Sequence, residues 1–327
     1  MTSRDRFAAT MRFGAPDRVP LLEEGLRDEV LDAWHRQGLA LDADLRVMFG
    51  TDRREEIPVD WEPRPKLGHG LLTPRGLEEL ARALDPEDPT RLPYDWAKRA
   101  AAWKTREHLL SLFIHDGLFL SMGIGNWESF DQVMDILAVD PGFASELMRI
   151  KGEFLAGYAA RILRDVTPDF AILSEPICGN WGPLVSPAMY ERIALRNYRP
   201  LLDALRRGGV ETIVFMTYAN ARILIPPVLD CGFDCLWACE TEPEAMDYLG
   251  IRKRFGRRLR LIGGIDLDCL LAGEDEIRRE IETKVPVLLA GGGYIPLADG
   301  RVRANVPFSR YAFYRRMLAR VAGPGTG

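Results

Sequence analysis

LRLIGGID at 259–266, a helix-patterned stretch from Glu274 to Leu289, and GGGYIPLAD at 291–299 form the segment on which the fold turns. An apolar run of strand length ending in a carboxylate, an amphipathic helix, and a second such run spell a strand–helix–strand unit. Asp266 and Asp299 each close a strand. In a parallel α/β barrel those C-terminal strand ends carry the chemistry, and packing needs no carboxylate there.

Upstream the same grammar recurs. Strands are predicted at Val19–Leu22, LFLSMG (118–123), FAILSE (170–175), TIVFMTY (212–218) and CLWACE (235–240). Helices are predicted over 3–13 with Ser3 as N-cap, 27–37, 77–84, 94–108, 130–137, from Asp140-Pro141 to about 164, from Ser186-Pro187 to 207, 221–231, 243–255 and 308–321. IPVDWEP at 57–63 reads as a strand of a small hairpin. That makes about seven strand-plus-helix units, near the eight of a closed (β/α)8 barrel. An open doubly wound sheet is the alternative, but no Gly-rich fingerprint follows the first strand. We read residues 1–327 as one barrel domain, with 42–115 an excursion or lid inside it.

The 327 residues, 47% hydrophobic and 28% charged, supply ample core for one domain. A net charge of −5 argues against a general nucleic-acid or anionic-membrane binder. MTSRDRFAATMRFG at 1–14 lacks a signal-peptide core, and no apolar run approaches ~18 residues. Five cysteines in no disulfide spacing fit a reducing compartment, so the expected location is the cytoplasm.

The expected strand ends collect polar groups of one character: Glu23 and Glu24; Asn126, Trp127 and Glu128; Glu175; Met216, Tyr218 and Asn220; Cys239 and Glu240; Asp266; and Asp299 with Arg301 and Arg303. Converging carboxylates raise one another's pKa and supply general acids near neutrality. Glu175, Tyr218, Glu240 and Asp299 are the expected catalytic groups. Asn126, Trp127, Glu128, Met216, Asn220, Asp266, Tyr294, Arg301 and Arg303 are expected to bind substrate, the arginines by clamping a carboxylate. Each acid taken singly is as readily a helix cap or rim charge. Cys231, Cys235 and Cys239 mimic a metal cluster, but Gly232 breaks the helix after the first and the other two stand ~13 Å apart along a strand. All four histidines (His35, His69, His108, His115) precede residue 116, leaving the later strands without an imidazole.

These residues resemble the uroporphyrinogen decarboxylase superfamily, which includes that enzyme, corrinoid-dependent methyltransferases and distant kin of cobalamin-independent methionine synthase. The resemblance spans almost the whole chain. It is carried by PDRVPLLEEG (16–25), AWHRQGL (33–39), SEPICGNWGPLVSP (174–187), LIPPVLDCGFDCL (224–236), AMDYLGIRKRFGRRLRLIGGIDLDCL (245–270) and EIETKVPVLLAGGGYIPLADGRVRANVPFSRY (280–311). It implies a (β/α)8 barrel, and barrels of this family commonly pair, so a homodimer is expected. The chain departs from its relatives at telling positions. Met216, Tyr218 and Asn220 replace a His or acidic run, and Gly300 stands where zinc-bearing members supply a late Cys or His. LLEEGLRDE (21–29) replaces the arginine-rich opening that binds a many-carboxylate substrate.

Three functions follow. The leading expectation is a metal-independent decarboxylase or related lyase acting on a small carboxylate-bearing substrate, with no cofactor, rather than the haem-pathway reaction. The alternative is a corrinoid-linked methyltransferase served by a corrinoid protein, with zinc on Cys239, Glu240 and Asp299 if metal is used. The third is a family member that has lost catalysis and binds a ligand or partner.

Overall fold

The computed structural model describes residues 1–67, 72–241 and 243–323. His69, named above, lies outside them. The chain resolves into two compact units, one of residues 1–55, 107–109 and 235–327, the other of residues 56–106 and 110–234. Both are α/β.

In the 56–234 unit, residues 110–114 of the strand Leu109–Ile114 run parallel to Phe170–Glu175, with Ser111 opposite Phe170 and Ile114 opposite Leu173. Phe170–Glu175 runs parallel in turn to Ile213–Tyr218, pairing Ala171 with Ile213 and Glu175 with Thr217. Strands buried on both faces read as unbroken apolar runs, and FAILSE and IVFMTY do so. Pro141–Leu163 is the long helix foretold by Asp140-Pro141, its cap made by Asp140 Oδ1 accepting from Phe143 N at 3.0 Å. It packs on Arg196–Arg207, and Gly152 permits the approach: a Cβ there would stand 2.1 Å from the Asn197 carbonyl oxygen.

In the other unit Cys235–Cys239, Arg260–Ile265 and Tyr294–Ala298 are parallel, Cys235 opposite Arg260 and Leu261 opposite Tyr294. The crossover between the last two is the helix Glu274–Ala290, as 259–299 predicted. The helix Tyr248–Phe255 begins later than the expected 243, capped by Asp247. Tyr248 locks the strands below it, donating its hydroxyl to Ile262 O at 2.8 Å and accepting from Ala238 N at 3.0 Å. Gly264, at φ +83°, makes room for that ring, since a Cβ would meet its carbons at 2.5 Å.

Several expectations are corrected. LFLSMG is no strand: Leu118–Ser121 is a helical turn, and the strand is the preceding apolar run Leu109–Ile114. The two runs are alike in length and apolarity, so periodicity could not separate them. Gly117 leads into the turn where no side chain fits: a Cβ there would stand 2.5 Å from the Ser174 carbonyl oxygen. The helix expected to reach 108 is Trp96–Trp103, and the strand Leu109–Ile114 falls within 42–115. Val19–Leu22 is irregular, its Leu21 held by reciprocal bonds with Asp52: Leu21 N to Oδ2 at 2.9 Å and Asp52 N to Leu21 O at 2.8 Å. The three-residue strand is Arg54–Glu56, just ahead of IPVDWEP, which is irregular. Thr2, not Ser3, caps the first helix. No helix among the described residues is long and apolar enough to cross a membrane.

Candidate functional site

The strand ends of the 1–55/235–327 unit gather the strongest cluster. Cys239 ends its strand, and Glu240 follows at φ +44°, a left-handed conformation rare outside glycine. Such strain collects at functional sites. Asp299 holds this corner. Its backbone carbonyl accepts from Glu240 N, its Oδ2 accepts from Thr241 N at 2.9 Å and Thr241 Oγ1 at 2.5 Å, and its Oδ1 accepts from Leu267 N at 2.9 Å. Three donors on a buried carboxylate fasten the loops after all three strands. Asp299, expected to be catalytic, holds these three loops in place. Burial still pushes its pKa upward against those hydrogen bonds.

Glu23 and Glu24 face different surroundings. Glu23 Oε2 accepts from Tyr311 Oη and lies 3.4 Å from Arg315 Nη1, and its Oε1 accepts from Glu24 N at 3.0 Å. Glu24 has only a loose approach from Arg301, Nε to Oε1 at 3.9 Å, although its side chain is just 10% exposed. Its Oε2 is buried with no hydrogen-bond partner among the described residues. Desolvation, first, pushes the Glu24 carboxyl up to about 7; Arg301 and Arg54 pull it down, while Glu23 and Glu240 push it further. Leaving a buried polar atom unmatched costs about 1–3 kcal/mol, so the unmatched carboxyl calls for a water, an ion or a ligand as partner. Cys239 shares the corner, and burial with the nearby Glu24, Asp299 and Glu240 carboxylates raises its thiol well above normal, which disfavours the thiolate.

The remaining predicted residues scatter. In this unit Tyr294 is wholly buried, its hydroxyl donated to Gly263 O at 2.9 Å. Asp266 caps its own loop, accepting from Asp268 N at 2.9 Å, and lines a cavity of about 390 Å³ with Glu280 and Lys284. Arg303 pairs with Asp268 at 2.8 Å on the surface. Cys239, Glu240 and Asp299 form no metal-holding group; among the described residues no three His, Cys, Asp or Glu side chains do.

In the other unit, Asn126, Trp127 and Glu128 stand at no strand end. Asn126 caps the helix Trp127–Val139, and Trp127 is 83% exposed. Met216 is buried in its strand, while Tyr218 and Asn220 flank Ala219, another left-handed residue at φ +52°. Glu175 is entirely buried and fully served. Its Oε1 accepts from Leu118 N at 2.9 Å, and its Oε2 accepts from Tyr198 Oη at 2.6 Å and Tyr190 Oη at 3.0 Å. The two tyrosines would stand roughly 80° apart around an ideal helix. An i→i+5 turn at Glu191–Leu195 between them takes up the difference. Burial, first, pushes the Glu175 carboxyl up to about 7 against those three hydrogen bonds. Beside it Asp116 accepts from Ser121 Oγ at 2.8 Å and from Lys151 Nζ at 2.9 Å. A cavity of about 500 Å³ in this unit, lined among others by Glu62, Lys66, Leu120, Met122 and Lys151, contains none of the predicted site residues.

Residue reasoning grouped Glu24 with the strand-end acids but gave it no role, and it passed over Trp237. Burial and unmatched atoms single out both, and neither property shows in a sequence.

Residues 118–296, more than half of the chain, match the uroporphyrinogen decarboxylase (URO-D) family. The curated uroporphyrinogen decarboxylase of Syntrophotalea carbinolica is 28% identical over 134 residues, 41% of this chain and 37% of that protein. The one from Edwardsiella ictaluri is 27% identical over 137 residues, 40% of this chain and 36% of that protein. The match thus spans little more than a third of the length of either relative. Among solved structures, xylanase B from Clostridium stercorarium F9 overlays at TM-score 0.37 and 11% identity, covering 68% of this chain and 76% of that one, too loosely to bear on fold or function. On the strength of the match over 118–296, the chain belongs to the uroporphyrinogen decarboxylase family.

Proposed function

We propose that the chain is a (β/α)8-barrel enzyme that decarboxylates a small carboxylate-bearing substrate at the Glu24–Arg301 corner, a reaction for which it needs no metal ion. The observation that carries this is the Glu24 carboxyl, nine-tenths buried, unmatched at Oε2 and titrating near 7. A general acid works best with a pKa near the operating pH. Arg301, half-exposed 3.9 Å from Glu24, holds the substrate carboxylate. The bond between that carboxyl carbon and its neighbour breaks, CO2 leaves, and the electron pair stays on the neighbouring carbon. Glu24 delivers its proton to that carbon and is reprotonated from solvent. The acidic stretch 21–29 opposes a many-carboxylate substrate, which favours a small acid over the haem-pathway one.

The test is CO2 release from a panel of small carboxylic acids, with uroporphyrinogen included. The wild type is expected to act on at least one small acid, and Glu24→Gln to slow it about 100-fold. Turnover of uroporphyrinogen would overturn the substrate class. A silent panel with demethylation of methylcobalamin would instead favour corrinoid-linked methyl transfer, and binding with neither reaction would favour a non-catalytic binder.

A further inference from the structure

Trp237 Nε1 is another unmatched atom of the 1–55/235–327 unit. Trp237 is 1% exposed, and its single donor has no partner among the described residues. The contrast within the unit is direct: Trp34, equally buried, donates Nε1 to Val306 O at 2.8 Å. Arg54, Arg252 and Arg315 also carry an unmatched nitrogen, but each guanidinium makes other interactions. An indole has one donor and no acceptor, so for Trp237 the loss is complete.

Register sets Trp237 on the same face as Cys239, whose thiol lies near Glu24. Residues 237 and 239 share one face of the strand Cys235–Cys239, about 7 Å apart. The Cys239 thiol feels the Glu24, Asp299 and Glu240 carboxylates and the Arg301 guanidinium. The Arg54 guanidinium stands 6.0 Å from the Trp237 ring centre and acts electrostatically on Glu24. This neighbourhood therefore holds an N–H needing an acceptor, a carboxyl with an unused oxygen, and arginines of the charge a carboxylate needs.

We infer that the ligand is a 3-oxo acid: its carboxylate lies at Arg301 and its carbonyl oxygen, beta to that carboxylate, accepts from Trp237 Nε1. This rests on the decarboxylase reading only for the reaction. In that reaction the electron pair freed from the breaking carbon–carbon bond moves through the neighbouring carbon onto the carbonyl oxygen, forming an enolate that the Trp237 N–H stabilises. Glu24 then protonates the carbon and the carbonyl re-forms. Atoms and charge balance with no oxidant, reductant or cofactor.

Calorimetric titration with freshly dissolved 3-oxoglutarate and with glutarate tests the assignment, since the two differ by one carbonyl oxygen. The wild type is expected to bind 3-oxoglutarate at least tenfold more tightly, and Trp237→Phe to remove that preference while leaving glutarate affinity unchanged. Equal wild-type affinities, failure of both probes to bind, or a preference surviving in Trp237→Phe would overturn the inference and leave the N–H to an internal water only. The wild-type comparison decides the matter even if Trp237→Phe does not fold. CO2 release is read separately: a binding preference without CO2 release sinks the decarboxylase reading alone, and CO2 release without the preference sinks only the oxo-acid assignment.

Discussion

Glu175 and Glu24 are two carboxyls that burial pushes to the same value, about 7, in two different units of the chain. Titration alone would rank them equal as candidate acids. Their partners separate them. Glu175 receives two phenol hydroxyls and a backbone N–H, so every donor around it has somewhere to go. Glu24 keeps an oxygen that none of the described residues uses. A buried acid with a full set of donors holds structure together, whereas one held out of water without partners costs stability that only a ligand repays.

The sharpest way to break this comparison is to remove Glu175. Glu175→Leu strands the hydroxyls of Tyr190 and Tyr198 and the N–H of Leu118 in a dry interior, at 1–3 kcal/mol per unmatched donor. Urea unfolding should show a loss of roughly 3 kcal/mol or more. A loss below ~1 kcal/mol would mean the network is ornamental.

The next largest effect is on pH dependence. Both carboxyls titrate higher in the folded chain than the ordinary 4.5, so the folded state binds more protons between pH 4.5 and about 7. Stability should fall as pH rises through that window, by up to about 1.4 kcal/mol per pH unit for each group. Glu175→Gln and Glu24→Gln should each flatten the slope by up to one proton, read from urea midpoints between pH 5 and 8. With Glu24 as proton donor, kcat in the wild type should also decline above pH 7, and a rate rising with pH there would contradict that role.

Smaller effects distinguish the arginines. Arg301→Ala should raise KM about tenfold, roughly the 1.5–3 kcal/mol of a charge-assisted hydrogen bond. Arg303→Ala should leave KM alone and move stability by less than about 1 kcal/mol, because its partner Asp268 is a surface carboxylate. Equal effects from the two would blur the distinction between the Glu24 corner and its rim.

Much of the fold could be read from residues because local chemistry and tertiary need agree there. Asp140-Pro141, Ser186-Pro187 and the runs FAILSE and CLWAC each say one thing. LLSLFI and LFLSMG say the same thing as each other, and a contact 57 residues away in sequence, Leu118 N to Glu175, makes the second a helical turn. The acids are legible by type, and their hydrogen-bond partners are not. Asp299 and Glu175 end strands, and the structure adds that their oxygens accept hydrogen bonds from the chain. Trp237 sits in an apolar run where any reader would place it in the core, and its idle N–H depends on what the rest of the chain fails to offer.

The most direct test of the comparison needs no substrate: urea unfolding of Glu24→Leu beside the wild type at pH 7.5. If Glu24 is held for a ligand, deleting its unmatched carboxyl should leave the midpoint unchanged or raise it. A fall comparable to that of Glu175→Leu would show that Glu24 is another structural carboxyl, and the functional reading of this corner would go with it.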